Sequence, residues 1–132
     1  MVLRKSAEDY LETILILKNE KGVVRSVDVA HHLEFSKPSV SRAVTNLRND
    51  GYLVMMADGE LVLTEKGLSV AEHVYERHTV LTGFLASIGV PPETAAVDAC
   101  LVEHVISEET FSSIKKMYKK TRPETGKQKK KK

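Results

Sequence analysis

An Asp58-Gly59 pair between two short apolar runs, residues 52–56 and 61–63, constrains this chain more than any other feature. Asp-Gly between β-forming residues is a strong signal for a two-stranded hairpin. Three segments with helical spacing of apolar residues precede it. Three helices followed by a hairpin are the layout of a winged helix-turn-helix, a fold whose recognition helix enters the major groove of DNA.

The three helical segments have recognisable boundaries. Ser6, followed by acidic residues, predicts the start of a first helix over about residues 6–20. Ser26 predicts the cap of a short second helix. Pro38 suits the first turn of a third helix, where its missing N–H costs nothing. On that third helix, apolar residues recur at i, i+4 and i+7 and are expected in the core: Val40, Val44 and Leu47.

The second half is predicted to be helical as well. A helix capped by Thr64 should run to about Ile88, where a Gly-Val-Pro-Pro segment breaks the pattern. Further helices are predicted over residues 93–106 and from Ser107 to about Tyr118. An apolar stripe on the first of these helices suits either a dimer interface or intramolecular core: Val80, Leu81, Phe84, Leu85 and Ile88.

The net charge of +2 is a sum over unlike segments of the 132 residues. Residues 119–132 carry +7 and lack apolar side chains, so a disordered basic tail is expected there. The first 118 residues carry −5, so the total charge alone does not argue for nucleic acid. The chain is too short for a large barrel or a doubly wound enzyme, which need roughly 150–250 residues.

Composition also bounds the location of the protein. Cys100 is the single cysteine, so no internal disulfide can form and a reducing, cytoplasmic location is expected. No apolar run reaches the roughly 18 residues of a membrane span. The first residues lack the apolar core of a signal peptide.

The start of the third helix carries short polar residues and cations, which suit close approach to DNA. Arg42 is a candidate for a base-edge or phosphate contact, and Lys37 and Arg25 for phosphate contacts. Because a single recognition helix binds DNA weakly, a homodimer on a palindromic operator in double-stranded DNA is expected. A three-helix module that binds protein would fit the same pattern. The candidate DNA-binding residues are Arg25, Ser36, Lys37, Pro38, Ser39, Ser41 and Arg42.

Three sets of side chains are candidates for a metal site. Cys100, Glu103 and His104 would share one face of a helix, although a buried cysteine beside a surface Glu-His pair gives the same pattern. Asp9 and Glu12 pair two carboxylates at i, i+3, which an acidic first turn also explains. His78 stands mid-helix, where it suits either a ligand or a solvated residue.

Several stretches in a fixed order carry a family resemblance over about residues 6–118. The chain resembles the iron- and manganese-dependent repressors of the diphtheria toxin repressor and manganese transport regulator family. The resembling stretches are Glu8-Asp9-Tyr10-Leu11-Glu12, Ser36-Lys37-Pro38-Ser39-Val40-Ser41, Leu63-Thr64-Glu65-Lys66-Gly67, Arg77-His78 and Cys100-Leu101-Val102-Glu103-His104-Val105-Ile106-Ser107.

The resemblance implies a metal-dependent repressor, not an enzyme, whose metal ligands mix two branches of the family and leave open whether one or two ions bind. Asp9 matches the manganese branch and Cys100 the iron branch. Thr82 and Ala96 stand where the iron branch has a glutamate and a histidine, so its ancillary site is expected to be absent, as is its C-terminal third domain. The implied metal ligands are Asp9, Glu12, His78, Cys100, Glu103 and His104.

The expected fold class is mainly α, with an N-terminal winged helix-turn-helix followed by an α-helical dimerisation domain. The domains are residues 1–64 for DNA binding, 65–118 for metal binding and dimerisation, and the tail 119–132. Carboxylate, imidazole and thiolate donors together suit Fe²⁺ or Mn²⁺ as corepressor, with Zn²⁺, Co²⁺ or Ni²⁺ binding in vitro. The hypothesis is that the metal ties the first helix to the helical half and so fixes the separation of the recognition helices.

Two other functions fit parts of the pattern. A metal-independent winged-helix regulator would bind DNA equally well after the loss of Cys100 or Glu103. A small metalloenzyme would use Glu12 as a base, but the sequence has no HExxH motif and no glycine-rich phosphate loop.

Overall fold

The structure, a computed structural model, describes residues 5–121, with the side chain of Thr121 excepted. It contains, within that range, six helices and one two-stranded sheet: α1 (Lys5–Lys21), α2 (Ser26–Leu33), α3 (Lys37–Asn49), β1 (Leu53–Met55), β2 (Leu61–Leu63), α4 (Glu65–Ser87), α5 (Pro92–Val102) and α6 (Glu108–Thr121). The chain forms two compact units, the first ending at Tyr75 and the second starting at Glu76. No helix in the described part has the length and apolar character needed to cross a bilayer.

The first unit packs α1, α2 and α3 around one apolar core. Val40, Val44 and Leu47 are at most 4% exposed, which confirms the predicted core face of α3. Ser36 precedes α3 and accepts a hydrogen bond from the backbone N–H of Ser39 at 3.2 Å. Pro38 lies in the first turn, as predicted, because no intrahelical bond needs its N–H there.

The predicted hairpin is present after α3 and forms the wing. β1 and β2 are antiparallel, with Leu53 opposite Leu63 and Met55 opposite Leu61. Gly59 has φ of +92°, the left-handed region that the tight connection requires. Leu53 and Leu61 are buried, so the wing shares the core of the three helices.

The predicted cap of α4 at Thr64 is confirmed, whereas the predicted cap of α2 at Ser26 is not. The Thr64 hydroxyl accepts a hydrogen bond from the Gly67 N–H at 3.1 Å and so caps α4 as predicted. Arg25, not Ser26, is the N-cap of α2. The prediction at Ser26 was wrong because the acid three residues after Arg25, Asp28, accepts the Arg25 backbone N–H at 2.8 Å.

The second unit has a smaller core between α4, α5 and α6. Leu81, Ala99 and Phe111 are its buried members. Within the predicted stripe, Leu81 is therefore core, whereas Ile88 is 62% exposed. α6 continues to Thr121, three residues into the predicted tail. The rest of the predicted tail, 122–132, lies outside the described residues.

The helix predicted over residues 93–106 ends early. α5 stops at Val102, and Glu103 to Val105 form a turn. His104 therefore follows the helix instead of continuing its face, as the spacing argument assumed. The side chain of His104 is 1% exposed, so the turn places it inward.

Candidate metal centre and DNA-binding surface

Glu103 is a buried carboxylate between two imidazoles in the second unit. Its side chain is 0% exposed, and its Oε1 lies 2.8 Å from His78 Nδ1. Its Oε2 lies 3.3 Å from His104 Nε2. No hydrogen bond satisfies Oε2 within the described residues. A buried carboxylate oxygen without a hydrogen bond is costly unless a cation neutralises it.

Cys100 brings a thiol to the same place. Its Sγ lies within 4.8 Å of a carboxylate oxygen of Glu103. Cys100 and His78 also line one open, mostly apolar pocket, together with Ala96, Val97 and Leu101. The second unit therefore brings together four of the predicted ligands: His78, Cys100, Glu103 and His104.

These four side chains fit a divalent transition metal. Thiolate, imidazole and carboxylate are its protein ligands, and a histidine bonded through Nδ1 to a carboxylate keeps Nε2 for a metal. Glu103 Oε2 has no hydrogen bond and faces His104 Nε2 at 3.3 Å, so a cation beside it would supply charge compensation that the described residues leave incomplete.

Asp9 and Glu12 lie on α1 in the first unit. Asp9 accepts a hydrogen bond from Lys5 at 2.9 Å, one helical turn before it. Glu12 is buried at 8% exposure. A glutamate is seldom buried to this degree, so an acidic first turn alone does not account for it. That Asp9 and Glu12 bind the same ion as the second unit's residues stays a prediction.

The N-terminal end of α3 forms the candidate DNA-binding surface. Lys37, Pro38, Ser41 and Arg42 are exposed there. Ser36 and Ser39 bond to each other, Oγ to Oγ, at 2.9 Å, so their hydroxyls first stabilise the helix start. Helix N-termini attract phosphate because their N–H groups are unpaired and the helix dipole is positive there. Thr45 is also exposed and lies one helical turn after Ser41, on the same face of α3.

Arg25 has a partner that the sequence interpretation did not foresee. Its Nε donates to the Asp58 carbonyl at 3.2 Å and its Nη2 to the Asp58 carboxylate at 3.1 Å. The Glu60 N–H, followed by this guanidinium, holds the pKa of Asp58 below its ordinary value. Arg25 therefore joins the tip of the wing to the start of α2. The contact of Arg25 with a DNA phosphate stays a prediction. In such a contact, the guanidinium would have to bond to both Asp58 and the phosphate.

The comparisons with known families match both halves of the chain. Residues 2–61 match the iron dependent repressor N-terminal DNA binding domain. Residues 64–129 match the iron dependent repressor metal binding and dimerisation domain. The two matches together cover more of the chain than the structure describes.

Named relatives and a solved structure agree. The chain is 37% identical to the transcriptional regulator MntR of Escherichia coli O6:H1 over 112 residues, 85% of this chain and 72% of the relative. It is 41% identical to the HTH-type transcriptional regulator MntR of Geobacillus kaustophilus over 102 residues, 77% of this chain and 72% of the relative.

A manganese-dependent transcriptional repressor solved with manganese has the same fold. It has a TM-score of 0.78 at 24% identity, covering 85% of this chain and 52% of that one, so the chain spans about half of that protein. The family matches and the curated relatives indicate function as well as fold. The chain belongs to the iron-dependent repressor family and is a metal-dependent transcriptional regulator.

Proposed function

We propose that this chain represses transcription by binding a palindromic operator as a homodimer when Fe²⁺ or Mn²⁺ is bound at a site of six residues. The observation that carries the proposal is Glu103, a buried carboxylate with one oxygen that has no hydrogen bond. The proposed ligands are Asp9, Glu12, His78, Cys100, Glu103 and His104. Such a regulator of metal homeostasis would act in the cytoplasm.

The donor set supports the choice of metal. Carboxylates suit Mn²⁺ and Fe²⁺, imidazole suits Fe²⁺ and the later metals, and a thiolate favours Fe²⁺, Co²⁺ or Zn²⁺ over Mn²⁺. Cys100 therefore shifts the proposed preference toward Fe²⁺, with Mn²⁺ next. Zn²⁺, Co²⁺ and Ni²⁺ are expected to bind in vitro, since affinity alone does not exclude them.

The proposed metal ligands include several acidic groups, which disfavour one another when no metal is bound. Three carboxylates and a thiol, when ionised, repel one another if they converge, and burial of Glu103 strengthens the repulsion. A divalent cation supplies, when bound, the positive charge that offsets this repulsion. Because Asp9 and Glu12 belong to the DNA-binding half and the other ligands to the helical half, binding couples the two halves.

The DNA-binding half uses the exposed start of α3. Lys37 and Arg42 are proposed to contact phosphates or base edges, with Ser36, Pro38, Ser39 and Ser41 close to the groove and Arg25 at the wing. Two such helices, about 34 Å apart in a dimer, would read half-sites one helical turn apart. Residues 65–118 are proposed to supply the dimer interface, and the basic tail adds sequence-independent affinity.

The ligand assignment is tested by metal titration against a chromophoric chelator. Asp9→Asn and Cys100→Ala should each weaken Fe²⁺ and Mn²⁺ binding on the order of 100-fold, because each removes an anionic donor. Asp98→Asn, an exposed acid on α5, is the matched control and should bind as the parent chain does. Equal affinity of all four proteins would contradict the proposed site.

A further inference from the structure

Arg77 connects α4 to the turn that follows α5. It is the residue before His78, and its side chain is 11% exposed. Its Nη1 donates to the Glu103 carbonyl at 3.1 Å and to the Ile106 carbonyl at 2.8 Å. Its Nη2 donates to the Glu108 carboxylate at 2.9 Å. One guanidinium therefore holds both ends of the turn and the first residue of α6.

These hydrogen bonds explain why α5 ends at Val102. In a continuing helix, the Glu103 carbonyl would accept from the backbone N–H four residues later, at Ser107. Arg77 takes that carbonyl instead. The N–H groups of Val105 and Ile106 both return to the Val102 carbonyl at 3.0 Å, which closes a tight turn. Arg77 thus acts as a side-chain cap for carbonyls that the end of the helix leaves without partners.

The turn in question carries two of the proposed ligands. It directs the His104 side chain inward at 1% exposure, while the next residue, Val105, is 81% exposed. It also fixes the backbone of Glu103, whose carboxylate contacts both histidines. A change in the backbone of residues 103–106 would therefore move Glu103 and His104 together.

We propose that Arg77 is a positioning residue for metal binding, which acts by holding the turn of residues 103–106 in the conformation that presents Glu103 and His104. The inference rests on the proposed function, because it takes these two residues as ligands. Arg77 itself carries a positive charge and no lone pair for a cation, so its role is separate from that of the ligands.

The chemistry of the contact favours arginine over lysine. A guanidinium presents five N–H donors in a rigid planar fork, so it can bond to two carbonyls and a carboxylate at once. It also lies over the Phe111 ring, with Cζ 5.3 Å from the ring centroid, which fixes its plane. A lysine ammonium is a compact charge on a flexible stem and would retain only part of this network.

The test compares Arg77→Met and Arg77→Lys with two controls. Leu81→Val trims the same core of Leu81, Ala99 and Phe111 but leaves every hydrogen bond to the turn. Lys115→Met removes the ion pair of Lys115 with Glu76, the neighbour of Arg77 on α4, and does not touch the turn. All proteins are studied full length, at a temperature where each is folded.

Two readouts are needed. In metal-free protein, Arg77→Met should speed hydrogen exchange at the Val105 and Ile106 amides about tenfold relative to the controls, because the turn opens more often. Its affinity for Fe²⁺ and Mn²⁺ should fall about 10–100-fold, as for other residues that orient metal ligands. Arg77→Lys should lie between Arg77→Met and the parent chain, and both controls should bind metal within about twofold of the parent.

Each alternative outcome has its own meaning. Weak metal binding in Glu103→Gln, but parent-like binding in Arg77→Met, would overturn the positioning role alone. An equal loss of affinity in Leu81→Val and Arg77→Met would also overturn it, since general destabilisation would then suffice. Parent-like binding in both Glu103→Gln and Arg77→Met would overturn the proposed metal site as well.

Discussion

The buried carboxylate of Glu103 is expected to lower the stability of the metal-free fold, although the proposed metal site requires it. Its carboxylate is fully buried, and only Oε1 has a hydrogen-bond partner within the described residues. Burial of a charge without full compensation destabilises the folded state. On the proposed ligand assignment, the metal-free protein would bear this cost because the same carboxylate is needed when a cation is present.

Glu103→Gln should therefore have opposite effects on stability and on metal binding. In the presence of chelator, the variant should gain about 1 kcal/mol of unfolding free energy, because a neutral amide replaces the buried charge. The measurement is urea unfolding followed by circular dichroism. Glu93→Gln, an exposed acid on α5, serves as control and should change little. A loss of stability for Glu103→Gln in chelator would contradict this account of the site.

Asp28, unlike Glu103, has a charge that stabilises the folded state. The hydrogen bond from Lys21, followed by the bond from the Arg25 backbone, lowers the pKa of Asp28 below its ordinary value of 3.8. Because the folded-state pKa is the lower one, Asp28 stabilises the fold above the unfolded-state pKa. This contribution is lost as the pH falls through the folded-state pKa.

Asp28→Asn should thus flatten the acid side of the stability profile. The unfolding free energies of the variant and the parent chain should converge only as the pH falls from 3.8 through the lower folded-state pKa of Asp28, while at pH 7 the variant should be less stable. Urea unfolding from about pH 2 to pH 7 measures both curves, and Asp98→Asn gives the reference for an exposed acid. A constant difference between variant and parent at every pH would show that Asp28 does not act through its charge.

At the scale of elements, α3 joins the core to the DNA-binding surface. Its buried face of Val40, Val44 and Leu47 fixes the helix on the first unit, while Lys37 and Arg42 remain exposed. The side chains that would contact DNA are therefore carried by a helix with an anchored opposite face. Substitution of an exposed cation there should change DNA affinity without a large change in stability.

Lys37→Ala tests the phosphate role of this helix. Each lost phosphate contact reduces the slope of log affinity against log salt by about 0.9, so a dimer should lose about 1.8. The loss of affinity should be similar for operator and unrelated DNA, because phosphate contacts carry no sequence information. Lys116→Ala, an exposed cation on α6, is the control. An unchanged salt slope for Lys37→Ala would remove Lys37 from the interface.

The elements that were predicted correctly depend on neighbours along the chain. The Pro38 start of α3, the Asp58-Gly59 hairpin and the Thr64 cap follow from rules that act over a few residues. The same local rules predicted a helix over residues 93–106, whose end lies four residues beyond the observed end of α5 at Val102. Its true end depends on Arg77, which lies 29 residues from its acceptor Ile106.

The same distinction applies to the candidate site. Residue chemistry and the family resemblance singled out His78, Cys100, Glu103 and His104, and the second unit brings these together. The pairing of Arg25 with Asp58, 33 residues apart, had no local signal. Contacts across the fold of this kind decide orientation, which spacing along one helix cannot supply.

For the whole molecule, charge is distributed so that a cation changes the balance of the folded part. The first 118 residues carry −5, and three of their acids, Asp9, Glu12 and Glu103, are proposed ligands. Bound metal makes this part less negative, which lowers its repulsion from DNA phosphates. The proposed coupling of the two halves would act in the same direction as this reduced repulsion, toward DNA binding.

Metal-dependent DNA affinity tests the central claim most directly. A labelled duplex, selected from random-sequence DNA by the metal-loaded protein, is titrated with the full chain and followed by fluorescence anisotropy. Parallel titrations contain Fe²⁺ under anaerobic conditions, Mn²⁺, or chelator, all at one salt concentration. Either metal should raise the affinity for the duplex about 5–150-fold, the usual range of allosteric coupling. Equal affinity in chelator and in both metals would contradict it.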